Sequence, residues 1–292
     1  MEKQYIFSFV ILNYITTKDT IECIKSIKNN CKEYKFNIIV VDNASPNNSG
    51  YELKHLFEED TDVKVIINEK NIGFARGNNV GYQYAKEKYK PDFIILCNSD
   101  TEILNDNFCI DIIEKYKQTN FALMGPKEKL ADGGFYILTE KARSKIALKL
   151  SISYYNKIIQ NKSLTFSRIL LKANSVIERK KLDVEKEYTN ICLHGAFLIF
   201  SKQYIDLFNG LNEATFLYGE EEFLYWRLKM NNLLSIYYPK IEILHKRNHS
   251  TKASIIDDKE RKIKQAKWHL DSAKKLLRAL NGDINIWTKQ KI

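Results

Sequence analysis

The chain has 292 residues, 44% of them hydrophobic, which is enough for a sizeable core and excludes wholesale disorder. Its 46 basic and 36 acidic residues leave a formal charge of +10, which favours an anionic partner: nucleotide phosphates, a lipid surface or nucleic acid. The five cysteines (Cys23, Cys31, Cys97, Cys109, Cys192) are scattered without CxxC spacing, which argues against a zinc site or disulfide framework and for buried thiols in a reducing cytosol.

The amino terminus runs straight into a strand, without the basic region, apolar stretch and cleavage site of a signal peptide. No apolar run reaches the roughly 20 residues that span a bilayer. The expectation is a soluble or peripherally attached protein.

Residues 5–12 read as an apolar strand ending at Asn13-Tyr14. Thr17 or Asp19 can cap the helix that follows, whose apolar face carries Ile21, Ile24 and Ile27. A second strand, residues 36–41, ends at Asp42-Asn43-Ala44-Ser45, and turn chemistry at residues 46–50 leads to a helix with Leu53, Leu56 and Phe57. A third strand, residues 63–67, ends at Asn68. Asn71-Ile72-Gly73-Phe74-Ala75-Arg76-Gly77-Asn78-Asn79 then opens a helix that runs to about Lys88. The fourth strand starts at Phe93 and stops abruptly at Asn98-Ser99-Asp100. A helix over residues 107–117 and a strand over residues 121–124 close this half.

Strand–helix alternation repeated in this way is the signature of an α/β, doubly wound sheet, mostly parallel and flanked by helices. Such sheets bind ligands outside the carboxyl ends of their strands. Asn13, Asp42, Asn68 and Asp100 stand at four such ends, which points to a nucleotide crevice. A hard carboxylate at Asp100 suits Mg²⁺ or Mn²⁺, which bridge to phosphates. On its own, Asn98-Ser99-Asp100 reads more readily as the cap of the next helix.

Residues 128–187 are lysine-rich, with apolar residues such as Ile146, Leu148 and Leu150, then Ile169, Leu170 and Leu171. They read as two or more amphipathic helices packed on the core, with peripheral contact to an anionic membrane surface as the second reading. Order returns at Ile191-Cys192-Leu193-His194-Gly195-Ala196-Phe197-Leu198, a turn feeding a strand. Residues 216–227 open a helix with Glu220, Glu221 and Glu222 in its first turn, where the positive helix end favours acids. Strands follow near residues 234–238 and 241–244, then His245 and His249, then a charged helical tail over residues 257–280.

Taken in order, seven of these segments carry a resemblance. They are Ile11-Leu12-Asn13-Tyr14, Val41-Asp42-Asn43-Ala44-Ser45, Asn71-x-Gly73-Phe74-Ala75-x-Gly77-Asn78-Asn79, Asn98-Ser99-Asp100-Thr101-Glu102, Gly195-Ala196-Phe197-Leu198, Phe216-Leu217-Tyr218-Gly219-Glu220-Glu221 and His245. The chain resembles the inverting family-2 glycosyltransferases of the GT-A fold, in the rhamnosyltransferase-like branch that builds bacterial surface polysaccharides. The likeness covers roughly residues 5–126 and 190–251.

The resemblance implies a division into a nucleotide-sugar-binding half (1–126), a helical insertion (127–189), an acceptor-binding and catalytic half (190–251) and a helical tail (252–292). It implies a donor pocket lined by Asn13, Tyr14, Asp42, Asn71, Gly73, Arg76, Asn98, Ser99, Asp100, Gly195 and Ala196, with Asp42 accepting a hydrogen bond from the pyrimidine base. Asn98-Ser99-Asp100 stands at the family's DxD motif with Asn98 in place of the first acid, leaving Asp100 as direct ligand of Mg²⁺ or Mn²⁺. His245 resembles the histidine that completes that site, with His249 as competitor.

The family's catalytic acid precedes a helix. Here it falls on Glu221, with Glu220 beside it in the acceptor pocket. Glutamate replaces the usual aspartate and Phe223 stands where another acid is common, so Glu220, Glu221 and Glu222 all stay open as the base. The implied partners are a dTDP- or UDP-linked sugar donor and a glycan or lipid-linked glycan acceptor, with no nucleic acid, in the cytoplasm or at the inner face of the cell membrane. Two other classes make different demands on the sequence. A sugar nucleotidyltransferase would show a Gly-rich basic loop after the first strand, which Asn13-Tyr14-Ile15-Thr16-Thr17 does not supply. A basic nucleic-acid-binding protein would cluster its lysines with stacking aromatics.

Overall fold

Four strands rich in β-branched and aromatic residues form one half of the central sheet, in a computed structural model that describes residues 4–161, 182–247 and 258–288. They are β1 (Ile6–Asn13), β2 (Lys35–Asp42), β3 (Val63–Ile67) and β4 (Phe93–Asn98), all parallel, in the spatial order β3-β2-β1-β4. Helices α1 (Thr17–Cys31), α2 (Ser49–Leu56) and α3 (Phe74–Tyr89) make the crossovers. Ile24 and Ile27 of α1, Leu53 of α2 and Ile112 of α4 (Phe108–Thr119) pack with Phe7, Phe9 and Val40 on one face. Tyr82 and Ala85 of α3 pack with Val10, Ile39 and Val41 on the other. Helices therefore cover both faces, as parallel strands require.

The other half of the sheet is mixed rather than parallel. Strand β8 (Phe197–Ser201) runs antiparallel to β4, and β6 (Leu123–Leu130) runs antiparallel to β8. Strand β9 (Ser235–His245) then pairs in parallel with β6, and β5 (Thr101–Ile103) and the short β7 (Tyr188–Thr189) pair antiparallel with β9. The two strands expected over residues 234–244 are thus one strand. It absorbs Pro239 at an irregularity, where its register against β6 jumps from Pro126↔Tyr238 to Lys127↔Glu242.

Residues 128–130 belong to β6, so the sheet continues past the expected boundary at residue 126. Within the expected insertion the described helix is α5 (Lys145–Ile159), capped by the Ser144 side chain accepting from the Ala147 N–H at 3.2 Å. Ile146 and Leu148 do not share a face of it. Leu148 is buried, whereas Ile146, two positions earlier, is 67% exposed, because a spacing of two carries a helix through about 200°. Ile169, Leu170, Leu171 and His249 lie outside the described residues. Helices α6 (Lys202–Ile205) and α7 (Glu220–Met230) follow β8. The expected tail helix is α8 (Asp258–Leu280), followed by the short α9 (Asn285–Thr288). Leu148 of α5, Phe223 of α7 and Ala273, Leu276 and Ala279 of α8 form a separate apolar cluster. No described helix is long and apolar enough to cross a membrane.

Candidate active site

A cleft of about 980 Å³ opens at the carboxyl ends of β1 and β4, where an α/β sheet offers its crevice. Strand pairing brings distant residues to it. Thr101 of β5 lies opposite His245 of β9, and the Lys246 N–H donates to the Asp100 carbonyl at 2.9 Å. The Asn98 N–H donates to the Ala196 carbonyl at 2.8 Å, which sets Gly195-Ala196 beside the end of β4. Helix α7 starts after Tyr218 and Gly219, at φ 72° and 89°. A tyrosine in the left-handed region is uncommon and is held by its surroundings, here by a ring stacked on His269 at 4.0 Å.

Eleven of the expected site residues line this cleft: Tyr14, Asn71, Gly73, Asn98, Ser99, Asp100, Gly195, Ala196, Glu220, Glu221 and His245. Asn13, Asp42 and Arg76 do not. Asp42 is 1% exposed, behind the wall. Its carboxylate accepts from Asn13 Nδ2 at 2.6 Å, from the Ser45 N–H at 2.9 Å and from the Ser45 hydroxyl at 2.6 Å. The carboxylate so held braces the loops after β1 and β2. Asn13 is fully buried beside it. The half-exposed Arg76 turns away and donates to the Glu213 carbonyl at 3.0 Å.

At this end of the cleft the wall residue is Asn43, one position further on. Its Nδ2 donates to Asn71 Oδ1 at 3.1 Å and to the Gly73 carbonyl at 3.2 Å, and its Oδ1 accepts from the Ile72 N–H at 3.1 Å. The loop so held needs glycine at residue 73. Its φ is 89°, and a Cβ there would sit 2.3 Å from the Phe216 carbonyl oxygen.

At the opposite end three glutamates have three fates. Glu222 forms a bidentate pair with Arg143, at 2.7 Å to Nε and 2.5 Å to Nη2. Glu220 is 4% exposed and accepts from the Thr215 hydroxyl at 2.9 Å. Burial, with the charge of Glu221 adding, pushes its carboxyl up to about 8. Glu221 faces the cleft over Gly195, where a Cβ would meet Glu221 Oε1 at 2.9 Å.

The Glu220 shift makes a stability prediction. Between its ordinary value of 4.5 and its folded value of about 8, the folded protein holds a proton that the unfolded chain has released. Stability is therefore full at low pH and falls as pH rises, by up to about tenfold in the unfolding equilibrium per pH unit in that window. Glu220→Gln keeps an acceptor for Thr215 and should flatten this slope. Urea denaturation at pH 5 and pH 8 measures it, and equal slopes in both proteins would reject the assignment.

Between the two ends stands a group that sequence reasoning missed. Glu128 of β6 is 5% exposed; it lies 2.9 Å from His194 Nδ1 and 3.1 Å from His245 Nδ1. Burial opposes its ionisation, but the charge of His194 and the hydrogen bonds from both rings outweigh burial and bring it to about 2. Burial pulls His194 down, yet the Glu128 carboxylate holds it above its ordinary value. The three residues offer ligand atoms within 4.8 Å of one another. On its other side, His245 Nε2 lies 3.6 Å from Asp100 Oδ1.

The donor set fits a divalent cation. With Nδ1 turned to Glu128, Nε2 of His245 faces the Asp100 carboxylate, and an imidazole nitrogen beside a carboxylate oxygen is a pair of ligand atoms that a divalent cation accepts. Cis ligands at about 2.1 Å from an octahedral ion lie about 3 Å apart, so a small rotation closes the gap.

His194, Arg247, Lys264 and Trp268 also line the cleft and had no predicted role. Glu128 stands between two lysines, Lys127 and Lys129, and only its place in a strand marks it. A tryptophan and a histidine in an otherwise lysine-rich tail were the available signal for Trp268, which stacks on Phe216 at 5.5 Å.

Comparison with known proteins agrees with the fold and the family. The family described as Glycosyl transferase family 2 matches residues 8–206. A low-salt glycan biosynthesis hexosyltransferase, Agl10, of Haloferax volcanii is 25% identical over 229 residues, 77% of this chain and 62% of its own length. The rhamnosyltransferase WbbL of Escherichia coli K12 is 23% identical over 206 residues, 68% of each chain. Among solved structures, a Pyrobaculum calidifontis mannosyltransferase in complex with GDP-Man and Mn²⁺ superimposes with TM-score 0.53 at 13% identity, over 98% of this chain and 78% of that one. GalNAc-T7 with UDP, GalNAc and Mn²⁺ gives 0.56 at 13% identity, over 83% and 43%. The fold is that of GT-A enzymes, and with a match across more than half its length the chain belongs to glycosyl transferase family 2.

Proposed function

We propose that the protein is a metal-dependent, inverting glycosyltransferase. It moves a sugar from a nucleoside-diphosphate donor, dTDP-rhamnose or a UDP-sugar, to a glycan acceptor in surface polysaccharide synthesis. The observation that carries this reading is convergence: Asp100, from the fourth strand end, and Glu221, from a helix over a hundred residues later, line one cleft.

Tyr14, Asn71 and Gly73 wall the end that takes the nucleoside, with Asn43 fixing the loop and Asn13 and Asp42 bracing it from behind. Asn98 and Ser99 border the donor, and Gly195-Ala196 forms the floor under its sugar. Asp100 and His245 Nε2 would hold Mg²⁺ or Mn²⁺. When bound, such an ion supplies Lewis-acid neutralisation of the leaving diphosphate. The Mn²⁺ named with two structures of the same fold supports that choice.

Glu221 takes the proton of the acceptor hydroxyl as the oxygen attacks the anomeric carbon from the face opposite the diphosphate. Glu222 is neutralised by Arg143 and Glu220 is buried and protonated near neutral pH, so neither competes as base. The absence of a basic Gly-rich loop after β1 leaves a nucleotidyltransferase without its phosphate cradle.

A panel of dTDP-, UDP- and GDP-sugars with Mn²⁺ or Mg²⁺, scored for nucleoside diphosphate release, tests the proposal. Release from a sugar nucleotide, abolished by EDTA, is the expected result. No release from any donor, together with salt-dependent binding of oligonucleotides, would overturn it.

A further inference from the structure

We propose that Glu128 is a positioning residue for this reaction: one carboxylate behind the cleft wall fixes the ring orientation and tautomer of both His245 and His194. The inference rests on reading Asp100 and His245 as the metal-holding pair.

The sheet is built to bring Glu128 there. Up to Pro126, β6 and β9 pair with an offset of 112 residues, as in Leu123↔Ser235. From Lys127 onward the offset is 115, as in Leu130↔His245. Had the first register continued, His245 would fall opposite Gly133, an odd number of residues from Glu128 and so on the other face of the sheet. The odd shift puts Glu128 and His245 on one face. The irregularity in β9 therefore serves the contact between these two side chains.

A carboxylate without its proton only accepts hydrogen bonds, so each ring within reach must present an N–H. His245 gives Nδ1 at 3.1 Å and His194 gives Nδ1 at 2.9 and 3.0 Å. In a neutral ring so oriented the second nitrogen, Nε2, keeps its lone pair. For His245 that atom is the one beside Asp100. His194 is further locked by the Tyr136 ring stacked on it at 3.9 Å, and the Tyr136 N–H donates to the Glu128 carbonyl at 2.9 Å.

Both histidines line the cleft and Glu128 does not, so the glutamate acts through them. Burying a carboxylate costs several kcal/mol unless it is paired. A purely structural place in β6 would be filled as well by an apolar residue. Carboxylates behind metal-binding histidines orient the ring, and their loss typically costs about 10–100-fold in metal affinity. A different arrangement of the same atoms is an ion held directly by Glu128, His194 and His245, inside the wall and away from Asp100.

Glu128→Gln and His194→Gln, made in the full chain, separate these arrangements. Two readouts are needed: Mn²⁺ affinity from electron paramagnetic resonance titration with the metal alone, and histidine ¹⁵N chemical shifts in the metal-free protein. The proposal expects Glu128→Gln to weaken Mn²⁺ binding by about 10–100-fold and to lose the single Nδ1–H tautomer of His245. It expects His194→Gln to bind Mn²⁺ nearly as the wild type does. In wild type, pulsed resonance should detect one coordinated imidazole. Unchanged affinity and unchanged tautomers in Glu128→Gln would overturn the proposal. So would loss of Mn²⁺ in His194→Gln with two imidazoles coordinated in wild type, which would place the ion among the three residues themselves. Wild-type protein that binds no Mn²⁺, but whose tautomers still depend on Glu128, would sink the metal reading and uphold the positioning one. Should Glu128→Gln not fold, Glu128→Asp, one methylene shorter, should break the tautomer of at least one ring, and intact tautomers in both would overturn the proposal.

Discussion

Replacing Glu221 by Gln should lower kcat by roughly 10²–10⁴-fold, the range that a positioned general base supplies, while leaving donor affinity unchanged. The amide keeps the shape of the side chain over Gly195, so the floor of the cleft should not move. What it loses is the capacity to take a proton. The neighbours cannot substitute: the Glu222 carboxylate is held by two guanidinium hydrogen bonds, and Glu220 is turned to Thr215 and raised to about 8. Calorimetric titration with the sugar nucleotide gives the affinity, and steady-state turnover gives kcat. A variant with wild-type kcat would reject Glu221 as base; one with normal kcat but weakened donor binding would make it a donor contact instead.

Asp100→Ala should have an effect of similar size by another route. Removing a metal ligand forfeits the several kcal/mol that Lewis-acid neutralisation of the leaving group supplies, or about 10³-fold in rate at roughly 1.4 kcal/mol per decade. His245 would remain, but one imidazole holds a hard divalent cation poorly. The loss should therefore appear in both Mn²⁺ affinity and turnover, and raising the metal concentration should restore little. Because Asp100 is 8% exposed at the end of a strand pair, the metal-free melting curve is the control for folding. Retained metal-dependent turnover in this variant would move the ion elsewhere.

Much of this site was legible in the sequence because its parts are local. Asn98-Ser99-Asp100 follows an apolar run, and the end of such a strand is a crevice in any doubly wound sheet. Glu220 to Glu222 open a helix, and Gly195-Ala196 precedes a strand. The parts that depend on pairing between distant segments were not legible. Asp42 and Asn43 are adjacent at a strand end, and which one faces the cleft is decided by Asn13, Ser45 and Ser49, which claim the Asp42 carboxylate. Glu128 acquires its neighbours only through an odd register shift in a parallel strand pair, which no pattern in β6 itself announces. The mixed half of the sheet was hidden for the same reason: short apolar runs reveal strands but not their direction. Ile146 and Leu148 show the converse: apolar residues close in sequence fall on different sides of a helix.

Anomalous scattering from crystals grown with Mn²⁺ and a nucleoside diphosphate tests the convergence of these residues most directly. The expected result is a manganese peak bonded to Asp100 Oδ1 and His245 Nε2, touching the diphosphate, with Glu221 on the far side of the sugar position. A peak on the Nδ1 side of the two histidines, or a diphosphate bound away from the strand ends, would contradict it.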